Sequence, residues 1–164
     1  MSLLPVVAAM LTALAGCAGG PADAGTVPAR TILADLHCGG DSPGVRRLAD
    51  AAPWEALLRQ IARRRPGPPA TQPGAPDFSR ERVFVIEMGR RPSLGYSVSL
   101  AQREARLRDG RLEIRVVWEE PAPGMLQGQI VTSPCLVVGV PVEARAEVVV
   151  LDARERERVR ENPR

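Results

Sequence analysis

The chain contains no lysine: all 22 of its basic side chains are arginine. This points to a GC-rich coding sequence rather than to a nucleic-acid binder. The arginines are interleaved with 19 acidic residues and the net charge is only +3, whereas a nucleic-acid-binding face shows a one-sided basic stripe. Aromatic residues are scarce as well, limited to Trp54, Phe78, Phe84, Tyr96 and Trp118, too few to build base-stacking platforms. There is a single histidine, His37, so any Ser-His or Cys-His mechanism would have to use it. Its neighbour Cys38 falls in a stretch that reads as a strand, where successive side chains point to opposite faces, so the two cannot pair as base and nucleophile. The same geometry, and the lack of Cys-x-x-Cys spacing, argues against a metal site at His37, Cys38 and Cys135. Glu119 and Glu120 lie beside a proline turn, with no second acidic cluster marked for acid/base work. A glycine-rich phosphate loop is absent, and "HCGGD" (37–41) reads as a turn. The expectation is a non-catalytic protein without metal or cofactor.

Long apolar runs are also lacking. The first one, Leu3 to Leu14, is too short to span a bilayer as a helix and matches the apolar core of a secretory signal. It ends in Leu14-Ala15-Gly16-Cys17, which resembles the lipobox of bacterial lipoproteins. Small residues at 15 and 16 fit a narrow peptidase cleft, and Cys17 supplies the thiol for the lipid. An ordinary cleaved signal followed by an unrelated cysteine is the alternative. On the lipoprotein reading, residues 1–16 are a signal peptide, and the mature chain is anchored through acyl chains on Cys17 rather than membrane-spanning. Residues 17–30, rich in Gly, Ala and Pro, read as a flexible tether. Ala18, rather than Asp, implies by resemblance to Gram-negative sorting an outer-membrane protein facing the periplasm. At the other end, residues 153–164 alternate in charge with one large apolar residue, Val159, and read as a solvated tail.

Between these ends the chain alternates between strand and helix signals. "TILADLHC" (31–38) reads as a strand, and "GVRRLAD" (44–50) as a second one. Trp54, Leu57, Leu58, Ile61 and Ala62 have the spacing of an amphipathic helix. Asp50 is its expected cap and Pro53 is tolerated in its first turn. Arg63 to Arg65 suit the negative end of its dipole. A proline-rich connector (66–76) follows. "RVFVIEM" (82–88) is apolar on both faces, as in a strand covered on each side. "YSVSL" (96–100) and "RLEIRVVW" (111–118) alternate, and Asp109-Gly110 between them is a hairpin signal. "PCLVVGVP" and "RAEVVVL" are expected to form a final pair. The sum is an α+β domain over residues 31–152: a mainly antiparallel sheet of about five or six strands with one packed amphipathic helix.

Four signatures in this second half carry a resemblance: Asp77-Phe78 before "VFVIEMG", then "GRRPSLGYSV" (89–98), "EEPAPGM" (119–125), and "TSPC" (132–135) followed by "LVVGVP". Their order and spacing resemble the C-terminal domain of the PrcB family, bacterial lipoproteins named for a subunit of a surface protease complex. The likeness is strongest over 77–141. It implies a non-catalytic module that binds or stabilises a protein partner, a protease or another envelope protein. The family usually has Thr-Gly-Gly where this chain has Ser93-Leu94-Gly95. Ser93 keeps a turn-closing hydroxyl and Gly95 the permissive backbone. Leu94 would be strained at positive φ and is expected to offer an exposed apolar tip.

Arg90, Arg91, Pro92, Ser93, Leu94 and Tyr96 are therefore the candidate partner-binding residues. The alternative is that this loop only shapes the sheet. The Pro-Ser-x-Gly-Tyr pattern also resembles the chagasin-type cysteine-peptidase inhibitors, which implies a loop entering an active-site cleft. A structural envelope protein without a protease link is a further reading. With Cys17 lipidated, Cys38 and Cys135 remain. They are either a disulfide, favoured in an oxidising compartment and closing a loop of about 100 residues, or two separate buried thiols.

Overall fold

The structure is a computed structural model that describes residues 25–65 and 74–161. Its strands are β1 (Gly25–Pro28), β2 (Arg30–Asp35), β3 (Gly44–Leu48), β4 (Glu81–Glu87), β5 (Ser97–Arg108), β6 (Arg111–Glu119), β7 (Cys135–Pro141), β8 (Glu147–Leu151) and β9 (Glu157–Arg160), with one helix, α1 (Ala51–Arg64). The α+β class stands, with strands dominant. The single sheet does not: there are two, a five-stranded sheet in the order β1-β5-β6-β8-β9 and a four-stranded one in the order β2-β7-β4-β3.

The two sheets pack face to face. Phe84, Ile86 and Met88 from β4 and its end, and Leu136, Val138 and Val140 from β7, meet Leu112, Ile114 and Val116 of β6 and Val148 and Val150 of β8. Alternate residues of the same strands, Val83, Val85 and Val137, face the other way and pack under Trp54, Leu57 and Ile61 of α1. That explains the unbroken apolar run in β4: one face fills the space between the sheets and the other supports the helix. The layers are therefore helix, sheet, sheet. Asp50 caps α1 by accepting from the Ala52 N–H at 2.9 Å, and Arg63 and Arg64 occupy its last turn. Arg65, just beyond, pairs with the buried Asp35 at 3.4 Å.

Several expectations are corrected. "RAEVVVL" does not pair with "PCLVVGVP": β7 lies between β2 and β4, while β8 pairs in parallel with β6 in the other sheet. Both strands are buried runs, so periodicity reveals neither partner. The strand opening at "YSVSL" runs on to Arg108, because a register shift between Leu100 and Ala105 lets it bend and continue. Asp109 (φ 50) and Gly110 (φ 71) form the turn to β6. Part of the stretch 17–30, assigned to a tether, lies in strands. Residues 25–28 pair with 104–107 of β5, and Arg30 opens β2. Between them Ala29 is buried, where the chain switches sheets.

The solvated tail likewise contains an edge strand. β9 pairs with β8 and buries Val159, while Arg158 and Arg160 alternate outward. One inward residue is enough for a four-residue edge strand, which is why its composition looked unfoldable. Folded elements thus extend beyond 31–152, to β1 on one side and β9 on the other. Among the described residues no helix is long and apolar enough to cross a membrane.

Candidate functional site, a clamped loop pair at one end of the sandwich

β4 leads out of the core at Met88, whose N–H donates to the Pro134 carbonyl at 2.9 Å. Gly89 then turns with φ +78. A Cβ there would lie 2.7 Å from the Ser42 backbone, so glycine is required by both conformation and space. Arg91 and Thr132 exchange a pair of backbone hydrogen bonds, at 2.8 and 3.0 Å. The Thr132 hydroxyl donates to the Ser93 carbonyl at 3.3 Å, and the Ser93 hydroxyl to the Leu94 carbonyl at 3.1 Å. The Leu94 N–H donates to the Gly128 carbonyl at 2.9 Å. Gly95 follows with φ +91, and a Cβ on it would lie 2.8 Å from the Gln127 side-chain oxygen. Residues 89–96 are thus laced onto the segment 127–134.

The candidate residues are brought together here, but in unequal roles. Arg90 and Pro92 are exposed, while Ser93 is buried. Arg91 stacks on the Tyr96 ring, 5.2 Å from its centre, and Tyr96 is half-buried against the inter-sheet core. Leu94 departs from expectation twice. Asp109 and Glu155 are the non-glycine residues with positive φ among those described, and Leu94 does not join them. Nor is it an open tip: it is half-buried and lies over Gly128, where its Cδ1 would sit 2.9 Å from an added Cβ. The missing glycine at 94 is tolerated because Gly128 opposite leaves room for the side chain.

The exposed apolar surface lies instead on the facing loop. Met125, Leu126, Ile130 and Val131 are all exposed, Leu126 fully. Sequence reasoning covered only the start of this segment, within "EEPAPGM" (119–125), and gave 126–131 no role. The available signal was four large apolar residues within a Gly- and Gln-rich stretch that fits neither strand nor helix period.

Away from this tip, Cys38 and Cys135 are joined as a disulfide with Cα atoms 5.8 Å apart. It ties the end of β2 to the start of β7 beneath α1. Both sulfurs are thereby committed to structure. His37 sits beside them, its backbone N–H donating to the Asp35 carboxylate at 2.8 Å. Among the described residues, no three His, Cys, Asp or Glu side chains converge as metal ligands would. Cys17, the expected lipidation site, lies outside the described residues.

No curated protein and no solved structure matches the chain. Residues 82–141, the span from β4 through β7 that contains both clamped loops, match the protein-family model described as PrcB C-terminal.

Proposed function

We propose that the protein is a non-catalytic, envelope-anchored binding module, lipidated at Cys17, whose 89–96 and 124–131 loops together dock a protein partner. The observation that carries this reading is the exposure of Met125, Leu126, Ile130 and Val131 on a loop whose backbone is tied to its neighbour. A backbone already held in place loses less freedom on binding, so more of the gain from burying its apolar side chains appears as affinity. Arg90 and Pro92 beside them supply a polar rim. The family resemblance suggests a peptidase as the partner, and the lipobox-like Leu14-Ala15-Gly16-Cys17 suggests an outer-membrane site facing the periplasm.

The test is cross-linked capture of the native protein from detergent-solubilised envelopes, beside a Leu126→Ser/Ile130→Ser variant. Both side chains are exposed, so the variant keeps its fold. The expected result is a peptidase recovered with the native protein and reduced at least about tenfold with the variant. Equal recovery from both would remove the docking role. A parallel assay against papain-class peptidases addresses the inhibitor alternative, in which inhibition would be lost in Tyr96→Ala. Leu94 is tied down over Gly128 rather than projecting, which favours docking over insertion.

A further inference from the structure

The facing sides of the two sheets are apolar along most of their length, but not at the end opposite the clamped loops. Arg82 follows the alternation of Phe84 and Ile86 on β4 and so points between the sheets, where it is only 9% exposed. Arg47 shares the inward side of β3 with Val45 and sits across from Phe84. Both arginines occupy positions at which the strand pattern calls for an apolar side chain. Arg145, from the turn between β7 and β8, completes a cleft of about 1120 Å³. Four arginines line it, Arg46, Arg47, Arg82 and Arg145, against two glutamates, Glu147 and Glu161.

Two of the arginines have partners. Arg46 lies 3.5 Å from Glu87. Arg82 lies 3.7 Å from Glu161 and donates to the carbonyls of Ala144 and Ala146 while its guanidinium covers the Phe84 ring. The side chains of Arg47 and Arg145 have no hydrogen-bond or ion-pair partner among the described residues. Burial pushes the Arg82 guanidinium down, Glu161 raises it, and Arg47 and Arg145 lower it further. The cleft therefore carries positive charge that its own carboxylates do not balance.

We propose that this cleft binds a small polyanion bearing carboxylate or phosphate groups, with Arg47 and Arg145 facing the ligand and Arg82 fixed in the floor. A planar guanidinium matches either group through two parallel N–H donors. The volume is that of a small-molecule site rather than of a single ion. A low-dielectric floor of Phe84 and the strand ends strengthens each contact relative to open solvent.

Isothermal titration calorimetry of the full chain with citrate and with pyrophosphate tests this, with acetate as a single-charge control. Saturable binding of citrate or pyrophosphate, and much weaker binding of acetate, is expected. Preference for citrate assigns a carboxylate ligand, and preference for pyrophosphate a phosphate one. Arg47→Gln and Arg145→Gln should each weaken binding about tenfold with an unchanged thermal midpoint, since both side chains are exposed. Arg63→Gln, on α1, should leave affinity unaltered. The proposal is overturned if neither anion binds saturably, or if Arg63→Gln weakens binding as much as Arg47→Gln does.

Discussion

Asp152 shows how much one carboxylate can organise. Buried at the end of β8, it accepts from the backbone N–H groups of Arg154 and Arg156, and from the Nε groups of Arg156 and Arg158 at 2.9 Å each. Burial raises its pKa, but the Arg156 side chain and the two backbone donors outweigh that and hold the carboxyl well below the usual range. Folding therefore favours the charged form. The stability it supplies is complete above the unfolded carboxyl value of about 4 and drains away as pH falls toward the lower folded value. Asp152→Asn should cost about 1–3 kcal/mol at neutral pH in urea unfolding, and should flatten the loss of stability below about pH 4. A variant with the native acid profile would contradict this. At Gly95, φ +91 and the contact with Gln127 predict that Gly95→Ala loses about 1–2 kcal/mol, read as a lower thermal midpoint. The roles of Ser93 and Gly95 were legible in the sequence, because turn chemistry is local. The lodging of Leu94 over Gly128 was not, since it depends on a residue 34 positions away that only the fold brings near.

Among the elements, the Cys38–Cys135 bridge joins β2 and β7, which are already hydrogen-bonded neighbours. Its contribution is felt mostly in the unfolded chain, where it closes a loop of 97 residues. Replacing both cysteines by serine should cost about 3–5 kcal/mol, measured as the shift in urea midpoint against the oxidised protein. β9 is the element whose sequence misled. Val159→Ala should cost about 1–2 kcal/mol, although it lies in a stretch that reads as solvent-exposed. An unchanged midpoint would mean that β9 adds nothing to the core. Elements with strong local patterns were legible: the capped amphipathic α1, the doubly covered β4 and the Asp109-Gly110 hairpin. Sheet membership was not. The turn after β7 is short enough to suggest a hairpin, yet β8 crosses to the other sheet and pairs in parallel with β6. That choice is made by the two-sided burial of Val148 to Val150, a tertiary demand that no local period encodes.

For the whole molecule, the helix-sheet-sheet layering places two chemically different surfaces at opposite ends of β4: an apolar loop pair beyond Met88, and an arginine-lined cleft around Arg82. On the proposed anchoring, Cys17→Ser should abolish acylation in lipid labelling and leave the folded domain intact, and normal labelling would end the lipoprotein reading. The early start of β1 then fixes a distance. β1 opens at Gly25, so seven residues lie between Cys17 and the strand pinned to β5. Fully extended, they reach no farther than about 28 Å. On that proposed anchoring, a domain on so short a leash would stay within roughly its own width of the lipid headgroups, and a partner would have to come to the bilayer to meet it.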